Sequence, residues 1–174
     1  MFKIEKCNLQ DYLKVRSFYH SLIDEMKDSE FYIGWKKDIY PSPEFLKESI
    51  EQGNLYIGFE QDQIAAAMIL NHECNDSYER FQWPTQAEKE EVMVIHALGV
   101  HPLYSGKGYA KQLVEFAIKI ASENSQKVIR LDVLEGNVPA EKLYKSMGFT
   151  YLHTLPMYYE DTGWTNYELY EYRV

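Results

Sequence analysis

Apolar and polar positions alternate from Phe2 to Lys6, which predicts a short strand. From Leu9 to Lys27 the period changes. Tyr12, Val15, Phe18, Tyr19, Leu22, Ile23 and Met26 recur at helical spacing and give one apolar face. After an irregular stretch, Ser42 caps a helix whose first position is Pro43. That helix runs to about Gln52 and closes at Gly53. Asn54–Glu60 ("NLYIGFE") and Ile64–Asn71 ("IAAAMILN") predict two strands, and the link Gln61-Asp62-Gln63 makes them a hairpin. A polar segment from Glu73 to Glu88 exceeds the usual connection length, which leaves a functional loop or a mobile flap open.

Glu91–Val100 ("EVMVIHALGV") is the most strand-like run in the chain. Gly108–Glu123 returns to helical spacing through Leu113, Val114, Ala117, Ile118 and Ala121. Lys127–Leu134 predicts a strand, Pro139–Met147 a short helix ended by Gly148. Phe149–Tyr159 and Trp164–Tyr172 predict two last strands joined at "EDTG". The order is β-α-α-β-β-β-α-β-α-β-β. Hairpins occupy the first half, and the strand-helix-strand-helix stretch that follows favours a right-handed parallel crossover. The fold class is α/β (α+β): one mixed, mostly antiparallel sheet of seven strands, a parallel centre, and helices on both faces. Neither a repeat nor a linker divides the chain, so residues 1–174 are expected to form one domain.

Composition narrows the function. A net charge of −9 argues against a nucleic-acid partner, because phosphate neutralisation needs a basic face. Most of the acidic side chains are read as solvated surface. Cys7 and Cys74 stand far apart, which disfavours zinc ligation and a redox pair. The first residues lack the apolar core of a signal peptide. No uncharged apolar run approaches the roughly 20 residues needed to cross a bilayer. The expectation is a cytoplasmic protein with free thiols, without a membrane partner, monomeric or homodimeric.

"SGKGYAKQL" (Ser105–Leu113) places two glycines and a lysine between a strand and a helix. Glycines let backbone amides approach a ligand, and a helix N-terminus offers unpaired N–H groups with partial positive charge. Together they suit a phosphate, with Lys107 and Lys111 adding charge. The sequence lacks the GK[S/T] of a P-loop, and Lys111 occupies the third glycine position of a dinucleotide fingerprint. Alone, the turn also fits a plain strand-to-helix connection.

A second stretch decides between them. Leu131–Phe149 holds Asn137, Ala140, Leu143, Tyr144, Gly148 and Phe149 as N-x-x-A-x-x-L-Y-x-x-x-G-F. Joined to "LGVHPLYSGKGYAKQL", this resembles the GNAT superfamily of acyl-CoA N-acyltransferases. The resemblance is strong from about Val92 to Phe149. It implies that amides between Gly106 and Lys111, including those of Lys107, Gly108, Tyr109 and Ala110, hold the pyrophosphate of acetyl-CoA. Ser105 departs from the family's usual Arg or Gln at the first position. The resemblance further implies that the backbone of Leu98, Gly99 and Val100 pairs with the pantetheine arm. The neighbouring parallel strand splays away from it, Asn137 contacts the coenzyme, and Tyr144 sits near the thioester sulfur.

The chemistry requires a neutral amine, a proton acceptor and a donor for the departing thiolate. Tyr144, read alone as a core aromatic, becomes the donor under the resemblance. Asn137 is an N-cap as well as a coenzyme contact. A strand amide, that of Leu98, can polarise the carbonyl. Candidate bases are Asp132, which is otherwise a paired sheet carboxylate, and His96, otherwise a buried hydrogen-bonded imidazole. Alternation puts the side chains of His96 and Leu98 on one face. Glu90, Glu91 and Glu135 are reserves. Tyr32, Trp35, Trp83, Tyr158, Tyr159 and Trp164 are either ordinary packing or walls for an alkylammonium acceptor. The remaining histidines show no metal-ligand spacing, and the chemistry needs no metal. The expected activity is acetyl transfer from acetyl-CoA to a primary amine by direct attack, the acceptor being a small polyamine-like or amino-acid amine or a peptide amine, with the acidic charge tilting toward a small cation. Its rivals are a non-catalytic acyl-CoA sensor or accessory subunit and a plain nucleotide-binding module.

Overall fold

Strand order follows from which faces are apolar. β2 (Leu55–Glu60) and β3 (Gln63–Asn71) carry apolar side chains on both faces, so both must be covered. A computed structural model, which describes residues 1–174, shows how. Tyr56, Ala66, Met68 and Leu70 pack beneath α3 (Tyr109–Glu123) and α4 (Val138–Ser146). Leu55, Ile57, Ala67 and Ile69 pack against α1 (Tyr12–Met26) and α2 (Pro43–Glu51). With β1 (Lys3–Lys6), β4 (Val92–Val100), β5 (Val128–Leu134), β6 (Thr150–Tyr159) and β7 (Gly163–Arg173), the strands form one sheet ordered β1-β2-β3-β4-β5-β7-β6. Every neighbouring pair is antiparallel except β4 with β5. This is the predicted mixed sheet with helices on both faces.

The β2–β3 link is a two-residue turn. Gln61 and Asp62 both take positive φ, at 49° and 64°, the backbone that matches strand twist in a tight hairpin. Gln63 already belongs to the strand and pairs with Glu60.

The parallel pair is short. Only Val92, Met93 and Val94 pair with Val128, Ile129 and Arg130. Beyond them β4 stays with β3 and β5 stays with β7, so the two strands part. A gap opens in the middle of the sheet.

β4 also carries an irregularity that alternation did not foresee. The β3–β4 register slips between Ala67 and Ile69, and Ala97 takes φ 49°. The extra residue reverses the phase of the strand. Leu98 and Val100 pack on the α3–α4 side, whereas Ala97 packs on the α1–α2 side and His96 meets the Phe45 ring of α2 at 5.9 Å. His96 and Leu98 therefore lie on opposite faces, which corrects the expectation that they share one. Tyr19 of α1, buried in the core, donates its hydroxyl to the Ala97 carbonyl at 2.7 Å and holds the bulge.

The segment from Glu73 to Glu88 is tied to the sheet. Tyr78 is buried, Asn75 Nδ2 donates to Tyr158 O at 2.9 Å, and Arg80 donates to Pro156 O. Trp83 lies under the Arg130 guanidinium at 4.2 Å. Arg130 in turn donates through Nε to Glu171 Oε2 at 3.0 Å and through a terminal nitrogen to Thr85 O at 2.7 Å. No helix is long and apolar enough to cross a membrane.

Arg130 and Glu171 are 8% and 4% exposed, so each depends on the other for its charge balance. Arg130→Met is expected to destabilise the fold by about 3–5 kcal/mol, because it leaves a buried carboxylate without a cation. Combining it with Glu171→Leu is expected to restore most of that loss. The midpoints of urea unfolding of the unaltered protein and of these two variants check both statements.

Candidate active site

The gap between β4 and β5 opens into a cavity of about 300 Å³, lined mostly by hydrophobic side chains. Leu98, Gly99 and Val100 form one wall. His101 N–H donates to Ala65 O on β3 at 2.9 Å. Strand alternation then turns the N–H groups of Val100 and Leu98 the other way, into the gap. Gly99 matters for packing instead. A Cβ there would lie 2.8 Å from Leu22 Cδ1 and 3.2 Å from the Trp35 ring. Its bare backbone lets these acceptor-side walls close on the strand.

At the mouth, Gly106 and Gly108 both take φ 78°. Helix α3 begins at Tyr109 without a side-chain cap. Its first backbone bond runs from Gln112 N to Gly108 O. The six consecutive N–H groups from Gly106 to Lys111 donate to no acceptor in the protein. They are a row of main-chain donors at the positive end of a helix, which fits a diphosphate. Ser105 is exposed and Lys111 is exposed. Lys107 is partly engaged, with Nζ 3.0 and 2.9 Å from the two Glu60 carboxylate oxygens. The Tyr109 ring turns inward and stacks on Phe2 at 3.9 Å.

Asn137 precedes α4, and its Oδ1 accepts the Ala140 N–H at 3.4 Å while its side chain also lines the cavity. Tyr144, one turn beyond Ala140, is 7% exposed and packs against Phe149 and Tyr170. Tyr144 lines the cavity. Burial, and then the charge of Asp132, raise its pKa, so the phenol keeps its proton.

The other face of the sheet supplies Asp132 and His96. Both Tyr78 and Tyr159 donate to Asp132 Oδ2, at 2.7 and 2.9 Å. Burial raises the Asp132 pKa, against the pull of those two hydroxyls. His96 Nε2 lies 2.7 Å from Asn71 Oδ1 and 2.9 Å from Glu73 O. Asn71 Oδ1 also accepts the Glu73 N–H, so both neighbours of Nε2 are acceptors. The ring proton belongs on Nε2, and Nδ1 keeps its lone pair. Burial lowers the His96 pKa to about 4, so the ring is neutral near pH 7.

A sequence model of the acetyltransferase (GNAT) family matches residues 17–149. The chain belongs to the GNAT acetyltransferase family. Its mixed sheet is shared with solved structures of that fold. A GNAT acetyltransferase from Streptococcus agalactiae superposes with a TM-score of 0.81 at 16% identity, covering 99% of this chain and 95% of its own. An N-acetyltransferase from Staphylococcus aureus Mu50 superposes at 0.72 with 16% identity, covering 99% and 98%. The yncA protein of Salmonella typhimurium, solved with its cofactor acetyl-CoA, superposes at 0.70 with 15% identity, covering 99% and 94%. Among curated relatives, the streptothricin acetyltransferase of Escherichia coli is 33% identical over 103 residues, 59% of this chain and 51% of that protein. An N-acetyltransferase of Methanocaldococcus jannaschii is 34% identical over 67 residues, 38% of this chain and 30% of that protein. The matches thus span about half or less of the curated relatives' lengths.

In this GNAT acetyltransferase the candidate aromatics separate. Trp35 and Tyr159 line the cavity. Tyr32, Tyr158 and Trp164 are exposed on the outside, and Trp83 packs under Arg130. Glu91 pairs with Lys127, Glu135 accepts from Asn166, and neither lines the cavity. The sequence reading missed Tyr40, Tyr78, Asp161 and Tyr167. They come from four separate irregular or strand positions, and no local pattern marks them.

The neutral His96 ring has a measurable signature. Its NMR shifts are expected to stay those of the neutral imidazole from pH 8 down through the usual histidine range and to move only as the pH approaches about 4. The unfolded chain takes up that proton below about 6.5 while the fold refuses it, so stability falls as pH drops from 6.5 toward 4. His96→Gln is expected to remove up to about 3 kcal/mol of this acid-side loss, read from denaturant midpoints across that range.

Proposed function

We propose that this protein transfers an acetyl group from acetyl-CoA to a primary amine by direct attack in a ternary complex, with residues 1–174 acting as one N-acetyltransferase domain. The observation that carries this reading is the split sheet with different chemistry on its two sides. Tyr144 reaches the gap from the α3–α4 face, and Asp132 and His96 reach it from the other. The free amides at the mouth lie on the same side as Tyr144's helix layer.

Those amides, from Gly106 to Lys111, hold the pyrophosphate. The strand backbone from Leu98 to Val100 holds the arm, and Asn137 lines its path. The Leu98 N–H points into the gap and polarises the thioester carbonyl. The amine nitrogen bonds to the carbonyl carbon, and the carbon–sulfur bond breaks. The departing thiolate takes the phenol proton of Tyr144. The ammonium of the acceptor sheds its proton to Asp132, whose burial strengthens it as a base, and the neutral His96 relays protons through Nδ1. As the amide forms the nitrogen gives up its second proton, which passes through solvent to restore the Tyr144 phenol, and Asp132 releases the first proton to solvent as products leave. Ser105 offers the coenzyme a hydroxyl where a cation is usual, so the main-chain donors and Lys111 carry more of the grip.

Tyr144→Phe is expected to lower kcat by about 100-fold, in the range of a lost general acid, while the dissociation constant for coenzyme A stays within about twofold. Gly108→Val is expected to do the opposite. A β-branched residue is strained at φ 78°, so the turn must shift and coenzyme A should bind about tenfold more weakly. Calorimetric titration of coenzyme A, with acetylated product measured by mass spectrometry, separates the two. Absence of heat on coenzyme addition to the unaltered protein would remove the reading.

A further inference from the structure

The cavity contains a second carboxylate that the transfer chemistry leaves unused. Asp161 sits in the turn between β6 and β7, yet it is only 5% exposed and lines the cavity. Its Oδ1 accepts the Thr162 N–H at 2.9 Å, and the Thr162 side chain and the Asp161 main-chain N–H also favour the carboxylate. Lys36 exerts an opposing positive field but forms no ion pair with it. Burial raises the Asp161 pKa, as it does for Asp132. Two carboxylates thus line one largely apolar cavity, and neither forms an ion pair within the protein. Such burial is unfavourable unless something from outside compensates it.

The walls between them are aromatic. Tyr159 donates to Asp132, and its ring lies 5.0 Å from that of Tyr167 and 5.9 Å from that of Tyr40. The hydroxyls of Tyr40 and Tyr167 each feel the charge of both carboxylates. Three tyrosine rings therefore link Asp132 to Asp161. Their faces attract cations, and more strongly in a desolvated site.

We infer that the acceptor is a diamine, with its reacting nitrogen at Asp132 and a second, permanently protonated ammonium held by Asp161 among Tyr40, Tyr159 and Tyr167. This rests on the amine-transfer reading above and specifies its substrate class. The second nitrogen takes no part in bond making. It fixes the position of the first, and it compensates the charge that one ammonium would leave.

The test compares short linear diamines, from ethylenediamine to cadaverine, with monoamines of matching length. Acetylated product is quantified by mass spectrometry at saturating acetyl-CoA. Binding of each amine to the protein–coenzyme A complex is measured in parallel by calorimetry. The best diamine should exceed its monoamine by about tenfold or more in kcat/KM, the scale of one charge-assisted contact. Asp161→Asn should bring that ratio within about twofold of unity. Equal kcat/KM for the two amine classes in the unaltered protein overturns the inference while leaving amine transfer standing, and so does a ratio that survives Asp161→Asn. Diamine-selective binding without any product supports the Asp161 site and counts against the transfer reading instead. No product and no amine binding overturns both.

Discussion

The structure depends on where β4 and β5 stop pairing. Three residue pairs join them, and then each strand keeps only its outer neighbour. Continued pairing would satisfy their backbone groups but would close the sheet. Parting leaves inward-pointing N–H groups on β4 that need another partner. It also makes the centre of the sheet accessible from both of its helix-covered faces. The helices set how each side is furnished: α3 and α4 bring a donor turn and a phenol, α1 and the segment after it bring aromatic walls.

Electrostatics divide along the same line. The mouth is a row of main-chain dipoles, with one nearby lysine already matched by Glu60. The interior sets two carboxylates among mostly hydrophobic side chains. Placing fixed dipoles at one end and carboxylates at the other suits an anionic donor entering by one route and a cationic acceptor by the other. A neutral imidazole between them adds no charge that would upset the balance.

Local features were legible in the sequence, and assembled ones were not. The glycine turn and the Asn137–Tyr144 helix each lie within a dozen residues, so their spacing alone carries the pattern. The seven strands were legible because each has its own period and its own turn residues. The facing of His96 was misread because Ala97, a residue with no preference for positive φ, hosts the bulge. A glycine there would have given warning. Asp161 was unremarkable in a polar turn, since only the packing of Tyr40 and Tyr167 around it makes it a buried group. Tyr78 sits in a segment that reads as open loop, although its hydroxyl holds Asp132.

The hydrogen bond from Tyr19 to the Ala97 carbonyl ties the width of the opening to helix α1 rather than to the loops beside it. α1 thereby acts as a datum. Trp35, from the stretch between Lys27 and Pro41, packs on Tyr19 and closes over Gly99, so the wall of the cavity and the strand it covers are both referred to the same helix.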